Sequence, residues 1–408
     1  MWSSPWRYKE GFAISAGLIL TGLILQFTTG PVNTGLLHYP FNLIAGSVYL
    51  FVLAGIYFFS GRIRALRWFT GYEAAVTSIL PFLVLVVTMG LIPQIQPGRE
   101  TGRSFGFSDM LSAWPFVLLF VYFISVLGLV TLRRLAHPRT KDIPFLLNHA
   151  GLFLALTGAI LGNGDLVRLR LTSHEGKPEW RAVDSRGEWH ELPLAIELLR
   201  FTIDEYPPKL MLIDNETGKA LPEAQPENLA VEDSVSSGTI AGWEIEVNRL
   251  LPLCAGVADK DTVNFVPYPS LGATTAVYVT ARRAATGQLT EGWVSCGSFL
   301  FPYKALRLTE QVSLVMPDRE PRKFSSEVKI YTQDKAVYTP VIEVNRPFSV
   351  NGWKIYQLSY DESKGKWSDY SVFELVNDPW LPVVYTGIGM LIAGAVCMFV
   401  FAQKRKEL

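Results

Sequence analysis

Six stretches of this chain are apolar for long enough to cross a bilayer, covering residues 11–27, 43–59, 74–92, 114–132, 143–161 and 381–401. A helix rises about 1.5 Å per residue, so runs of roughly 17 to 25 apolar residues match a hydrocarbon core of about 30 Å. The run 143–161 has 19 residues without a formal charge, but Asn148 and His149 set it apart from the others. Loop charge supports it as a span. Lys and Arg collect in short loops on the cytoplasmic side. Here Arg7 and Lys9, then Arg62, Arg64 and Arg67, then Arg133, Arg134, Arg139 and Lys141, then Lys404, Arg405 and Lys406 fall on alternate sides, against only Arg99 and Arg103 in the first and third loops. Removing the span 143–161 would move the tail cluster to the other side. Six spans with both termini cytoplasmic follow, and the first run is read as a retained span because no small-residue cleavage pattern follows it.

Between residues 163 and 380 the period changes from helical to two. Alternation marks 167–172, 195–203, 243–250, 274–283, 326–332, 352–360 and 370–376 as strands. Asn351 and Gly352 signal a hairpin turn, and Pro207 and Pro208 another break. The expected architecture is a membrane protein of six transmembrane helices plus a large antiparallel β-rich domain, a sandwich or open barrel, on the outer face. Its parts are a five-span region 1–162, the β-domain 163–380 with 215–240 as a loop, and a sixth helix with a basic tail at 381–408.

Composition changes this picture only by showing where the charge lies. The 408 residues carry no net charge, yet residues 163–380 hold 23 Lys and Arg against 31 Asp and Glu, a net −8, and the remainder 14 against 6, a net +8. An acidic outer domain on a basic membrane part argues against nucleic acid as a partner, and the spans make membrane lipid one. Cys254, Cys296 and Cys397 contain no CxxC pair, so neither a thioredoxin-like nor a zinc site is suggested. Cys254 and Cys296 either pair in an oxidising compartment or stay as free thiols. There is no Gly-rich phosphate loop and no nucleophile elbow.

The chemistry concentrates on 143–161. At about 100° per residue Gly151, Ala155, Gly158 and Gly162 share one stripe, and His149 lies on the other face with Leu152, Phe153, Leu156 and Ile160. Small residues let helix backbones approach closely in a bilayer. A histidine in a span is a functional-site candidate by default. His149 either hydrogen-bonds a neighbouring helix, or ligates iron with Leu152, Phe153 and Leu156 contacting a flat apolar macrocycle, or relays protons, though no carboxylate shares its span. Arg133 and Arg134, just inside this helix, set topology and are candidate partners for ligand carboxylates. His38, in the first outer loop, is a candidate second ligand or an interfacial solvated side chain, while His137, His174 and His190 read as surface or packing residues.

The span beginning His149-Ala150-Gly151-Leu152 and ending LTGAILG, the strand-rich outer domain, and the closing pattern YQLSYD then NDPWLPVVYTGIGMLIAG resemble ResB-like proteins of cytochrome c maturation system II, over residues 143–401. The resemblance implies a bacterial inner-membrane protein with a periplasmic domain that works with a CcsA-type membrane partner. Together they would carry haem outward and attach it to CxxCH cysteines of apocytochrome c. It implies transient haem b with His149 as an axial ligand to the iron, and an accessory subunit that is not catalytic alone, since no WxWD-like segment is present. Two features depart from the family: five spans precede the outer domain where three are usual, and Trp380 follows Pro379 where glycine is more usual, which an aromatic interfacial anchor explains. A structural or sensory membrane subunit whose β-domain binds another envelope protein, without haem, is the alternative. Ion or solute transport is disfavoured, because the spans lack paired charges and repeated interrupted helices.

Overall fold

The computed structural model describes residues 6–94, 106–232, 236–259 and 262–404; Arg99, Arg103, Arg405 and Lys406 lie outside these. Among the described residues six helices are long and apolar enough to cross a membrane. They are α1 (Tyr8–Thr29), α2 (Phe41–Ser60), α4 (Tyr72–Leu91), α5 (Trp114–Leu135), α6 (Ile143–Gly162) and α7 (Leu381–Lys404), with a short α3 (Arg64–Trp68) between α2 and α4. Their starts follow local rules. Pro115 and Pro144 sit in the first turns of α5 and α6, where a missing N–H costs nothing. Glu10, three residues into α1, accepts the Arg7 backbone N–H at 2.8 Å.

Helix α5 is the hub of the bundle. On one side it meets α1 and α4 through Leu119, Tyr122 and Val126, with Trp68 closing the cluster. There the Ser15 hydroxyl donates to the Thr77 carbonyl at 2.7 Å, and the Thr77 hydroxyl pairs with that of Tyr122 at 3.3 Å. On the other side Phe120, Ile124 and Leu127 pack against Tyr49 of α2 and Leu152, Phe153 and Leu156 of α6. Loop contacts sort the two ends. The Arg133 guanidinium donates to the Thr70 carbonyl at 3.0 Å, so the second and fourth loops share one end. At the other end the Val32 N–H donates to Ser112 O at 2.8 Å and the Tyr39 N–H to Asp165 at 2.7 Å, joining the first and third loops and the start of the β-domain.

The glycine stripe of α6 packs on α7. Gly151, Ala155, Gly158 and Gly162 are all buried. A Cβ on Gly151 would come within 2.7 Å of the Gly387 carbonyl oxygen, and one on Gly387 within 2.6 Å of Ala155 N and Gly151 O. Asn148 costs the span little, because its amide donates to Pro144 O at 2.9 Å and faces Met398 Sδ at 3.3 Å.

The two helices continue directly into two paired strands. Val167–His174 follows α6, Tyr370–Asn377 precedes α7, and they run antiparallel with Val167 opposite Asn377 and His174 opposite Tyr370. They lie inside a nine-stranded sheet that also holds Trp189–Glu205, Pro321–Thr332 and Trp353–Tyr360. This curved antiparallel sheet encloses a core of Leu171, Ile196, Leu198, Ile330, Phe373 and Leu375. The turn before Trp353 has Asn351 at φ 47° and Gly352 at φ 81°, the two positive angles that a two-residue hairpin requires.

Among the described residues the antiparallel domain has a second large core. Two five-stranded sheets, one built on Trp243–Asp259 and Thr274–Arg283 and the other on Lys209–Asp214 and Val312–Val315, enclose Leu212, Ile245, Val247, Val279 and Leu314. The 215–240 stretch is not wholly a loop: Ala220–Leu221, Asn228–Ala230 and Ser236–Ile240 are strands. They are too short, and too interrupted by proline and acidic residues, for alternation to reveal them.

Because the α6–α7 contact is backbone to backbone, Gly151→Val is expected to overpack it and destabilise the folded protein by about 1–3 kcal/mol. Gly17→Val on α1, where a Cβ meets nothing within 4 Å, is the control. Thermal unfolding in detergent separates them, and equal midpoints would remove the close contact as a determinant of stability.

Candidate functional site

His149 sits half-buried in the second turn of α6. Its Nδ1 lies 3.0 Å from the Phe145 carbonyl oxygen one turn earlier. A carbonyl only accepts, so Nδ1 carries the proton and, in the neutral ring, the lone pair is on Nε2. Among the described residues Nε2 has no hydrogen-bond partner. The Phe145 ring stacks on the imidazole with centroids 3.7 Å apart and planes 19° apart, and the Arg134 guanidinium lies 5.3 Å from the same ring centroid. Arg134 also approaches Asp142 at 3.6 Å, an ion pair whose carboxylate is buried and whose cation is half-exposed. Arg133 is turned away, to the Thr70 carbonyl.

Leu152, Phe153 and Leu156, the expected ring contacts, fill the seam with α5. Phe153 occupies the notch left by Gly128, where a Cβ would come within 2.8 Å of its ring. The aromatic side chain that touches the imidazole is Phe145. It went unnamed in the sequence, although its position four residues before His149 places both on one helical face.

His38 lies at the opposite end of α6. Its backbone meets Gly164, where a Cβ would come within 2.9 Å of His38 N. Thirteen residues of helix separate His149 from Gly162, about 20 Å at ~1.5 Å each, so His38 and His149 do not meet on one iron. The exposed His38 ring instead bonds Gly35 O at 3.0 Å and packs edge-on to Phe41.

Beside His38 is a cluster with no local sequence signal. Asp165, in the link between α6 and the first strand, accepts the Tyr39 N–H at 2.7 Å, the Asn42 amide at 2.6 Å and the Trp380 indole N–H at 2.7 Å. Asn42 is fully buried and also donates to Leu161 O at 3.0 Å. One carboxylate thus ties the starts of α2 and α7 to the end of α6. Trp380, expected only as an interfacial anchor, is a donor here. Desolvation pushes the Asp165 carboxyl up, but the Tyr39, Trp380 and Asn42 donors and the nearby His38 outweigh it and hold it below the usual carboxylate range.

The remaining candidates stay at the surface or in packing. His137, His174 and His190 are exposed. His190 comes together with Asp184 and Glu188, ligand atoms within 4.8 Å of one another, in a hairpin that sequence spacing did not mark as a metal site. The Asp184 carboxylate is already engaged there by the backbone N–H groups of Arg186 and Glu188. Cys254 and Cys296 are free thiols that both touch Thr274. Burial and the neighbouring Cys296 push Cys254 up to about 12.

Asp165→Ala leaves the Tyr39 N–H, the Trp380 N–H and one of the two N–H groups of the buried Asn42 amide without their acceptor and is expected to destabilise the protein by about 2–3 kcal/mol, read as a lower thermal midpoint. A carboxyl held below its ordinary value adds stability above that value, near ~3.9, and loses it as pH falls through the lower folded value. The midpoint gap between unaltered protein and Asp165→Asn should therefore shrink from pH 7 to pH 3. A constant gap would take the Asp165 charge out of the account.

The chain has no match at a significant level among curated proteins. Residues 139–369, more than half of the 408, match a profile described as the ResB-like family. The match begins just before α6 and takes in most of the β-domain. With the spans and the antiparallel outer domain as described, the chain is a membrane protein that belongs to the ResB-like family, which implies involvement in cytochrome c biogenesis.

Proposed function

We propose that this protein is the haem-handling subunit of a system II cytochrome c maturation complex, with His149 as one axial ligand to transported haem. The observation that carries the reading is the orientation of His149. Its Nδ1–H bond to Phe145 O fixes the tautomer and leaves Nε2 as the donor atom, the arrangement that an imidazole ligand needs. Phe145 stacked on the ring offers an apolar contact, and Arg134 beside it keeps N–H groups exposed for a propionate. Leu152, Phe153 and Leu156 are engaged by α5 in this chain, so shielding of the macrocycle falls to Phe145 and to a CcsA-type membrane partner, which also supplies the second ligand. Haem is cargo here, and covalent attachment to CxxCH cysteines of apocytochrome c is the partner's chemistry.

The orientation proposed is both termini in the cytoplasm of a bacterial cell and the β-domain in the periplasm. Arg62, Arg64, Arg67, Arg133, Arg134, Arg139 and Lys141 lie at the end of the bundle opposite to that domain, as the distribution of basic loops in the inner membrane requires. His149 is then near the cytoplasmic side, where haem enters. A second reading, a structural or sensory subunit without haem, is favoured by the same hydrogen bond, since it already satisfies one polar atom of the imidazole within its own helix.

The absorption spectrum of the chain co-purified with its membrane partner decides between them. Haem binding at His149 predicts a Soret band that is lost or shifted in His149→Ala at matched expression. A band unchanged in the variant would put every iron ligand in the partner, and no band in either protein would leave the structural reading.

A further inference from the structure

We propose that the pocket between the starts of α2 and α7 binds the primary ammonium of a phospholipid headgroup, taken from the leaflet next to the β-domain. The pocket has a volume of ≈ 380 Å³ and is lined by Tyr39, Leu43, Asp165, Pro379 and Trp380. Its height is set by the chain. Leu43 lies in the first turn of α2, Trp380 immediately precedes α7, and Asp165 follows the last residue of α6 by three. Three spans therefore end around it, at the level where headgroups replace hydrocarbon. Leu43 and Ile44 are 48% and 57% exposed, and apolar side chains exposed on a span meet lipid.

The lining carries one carboxylate and neither Lys nor Arg. Asp165 accepts the Tyr39 N–H on Oδ1, and the Asn42 amide and the Trp380 indole N–H on Oδ2. Three uncharged donors favour the ionised form without balancing its charge. Among the described residues His38 is the one titratable group that acts on it, and the His38 ring is bonded to Gly35 O. An ionised carboxylate has about four acceptor positions, so one is left, on Oδ1. Next to the lining residue Pro379, Asp378 accepts the Trp380 and Leu381 backbone N–H groups at the start of α7 and adds a second negative charge. Arg168 and Lys354, both opposite Val376 in the sheet, do not line the pocket. Negative charge at the edge of hydrocarbon is costly while it lacks a counter-ion.

These features choose among the charges that a bilayer presents. A phosphate would face Asp165 with no cation on the lining to receive it. A divalent metal takes about six oxygen ligands, and the pocket offers one carboxylate with a single open position. An ammonium finds that position, and the Tyr39 and Trp380 rings on the same lining suit a cation. A primary ammonium donates an N–H to Oδ1 and a quaternary one cannot, so ethanolamine headgroups are favoured over choline. The lipid's acyl chains continue along Leu43 and Ile44, an apolar wall for which a water-soluble amine has no use. The bound headgroup completes the cluster that ties α2 and α7 to the end of α6. This pocket is at the other end of α6 from His149, so the inference does not depend on haem binding.

The test uses the full-length protein in detergent and three phospholipids with identical acyl chains and ethanolamine, choline or glycerol headgroups. Native mass spectrometry should show the ethanolamine lipid retained on the order of tenfold more strongly than the other two. Tyr39→Leu removes the ring but keeps the backbone N–H that bonds Asp165, and Leu43→Trp fills the pocket. Both positions are exposed, so each variant should lose the preference at an unaltered thermal midpoint. Asp165→Asn should lose it as well, with a lower midpoint. Water-soluble phosphoethanolamine at equal concentration should leave the lipid in place, and displacement by it would make a free amine the ligand instead. Equal retention of the three lipids, a preference for the glycerol headgroup, or an ethanolamine preference that survives both Tyr39→Leu and Leu43→Trp would each overturn the proposal. None of these readouts involves haem, so their failure and that of the His149 reading are distinguishable.

Discussion

The contact on which the other parts depend is the backbone-to-backbone packing of α6 on α7. Helices with ordinary side chains lie 8–10 Å apart, and paired strands about 4.8 Å. A helix pair that becomes a strand pair within a few residues must reduce that mismatch. Gly151, Gly158 and Gly387 do so by removing side chains from the seam, and only four residues separate Gly162 from Val167. The β-domain therefore leaves the membrane as a continuous two-stranded stem. Asp165 lies inside the short link and fastens it laterally to α2 and α7. A movement of α6 has no slack in which to dissipate before it reaches Val167.

What was legible in the sequence was what repeats locally. Six apolar runs, seven alternating stretches, the Asn351-Gly352 turn and the α6 glycine stripe are each contained in fewer than about 25 residues, and helices and strands took up those positions. Asp165 was not legible, because its partners lie 126 residues before it, at Tyr39, and 215 after it, at Trp380. A lone aspartate after a span looks like any interfacial charge until the chain closes around it. The same holds for Glu205, whose cations come from Arg319 and Lys366.

The face of α6 carrying His149 shows a different limit. Helical projection correctly sets Leu152, Phe153 and Leu156 away from the glycines, but it cannot say whether an apolar face meets a ligand or another helix. Gly128 of α5 settles that for Phe153 by accepting its ring. The extra spans gain a physical role from the same contact: α5 supports the His149 helix, and α1 and α4 support α5.

The bond from His149 to Phe145 serves both a packing histidine and a ligand, and the difference lies in the other nitrogen. A packing imidazole in a bilayer gains by satisfying both polar atoms, since an unpaired one in hydrocarbon is costly. Satisfying Nδ1 within its own helix while Nε2 has no partner among the described residues keeps half of that cost in place. The cost is removed when a donor or a metal arrives at Nε2 from outside the chain. Among the described residues neither the β-domain nor α7 supplies one, so Nε2 stays open to a donor or a metal from outside them.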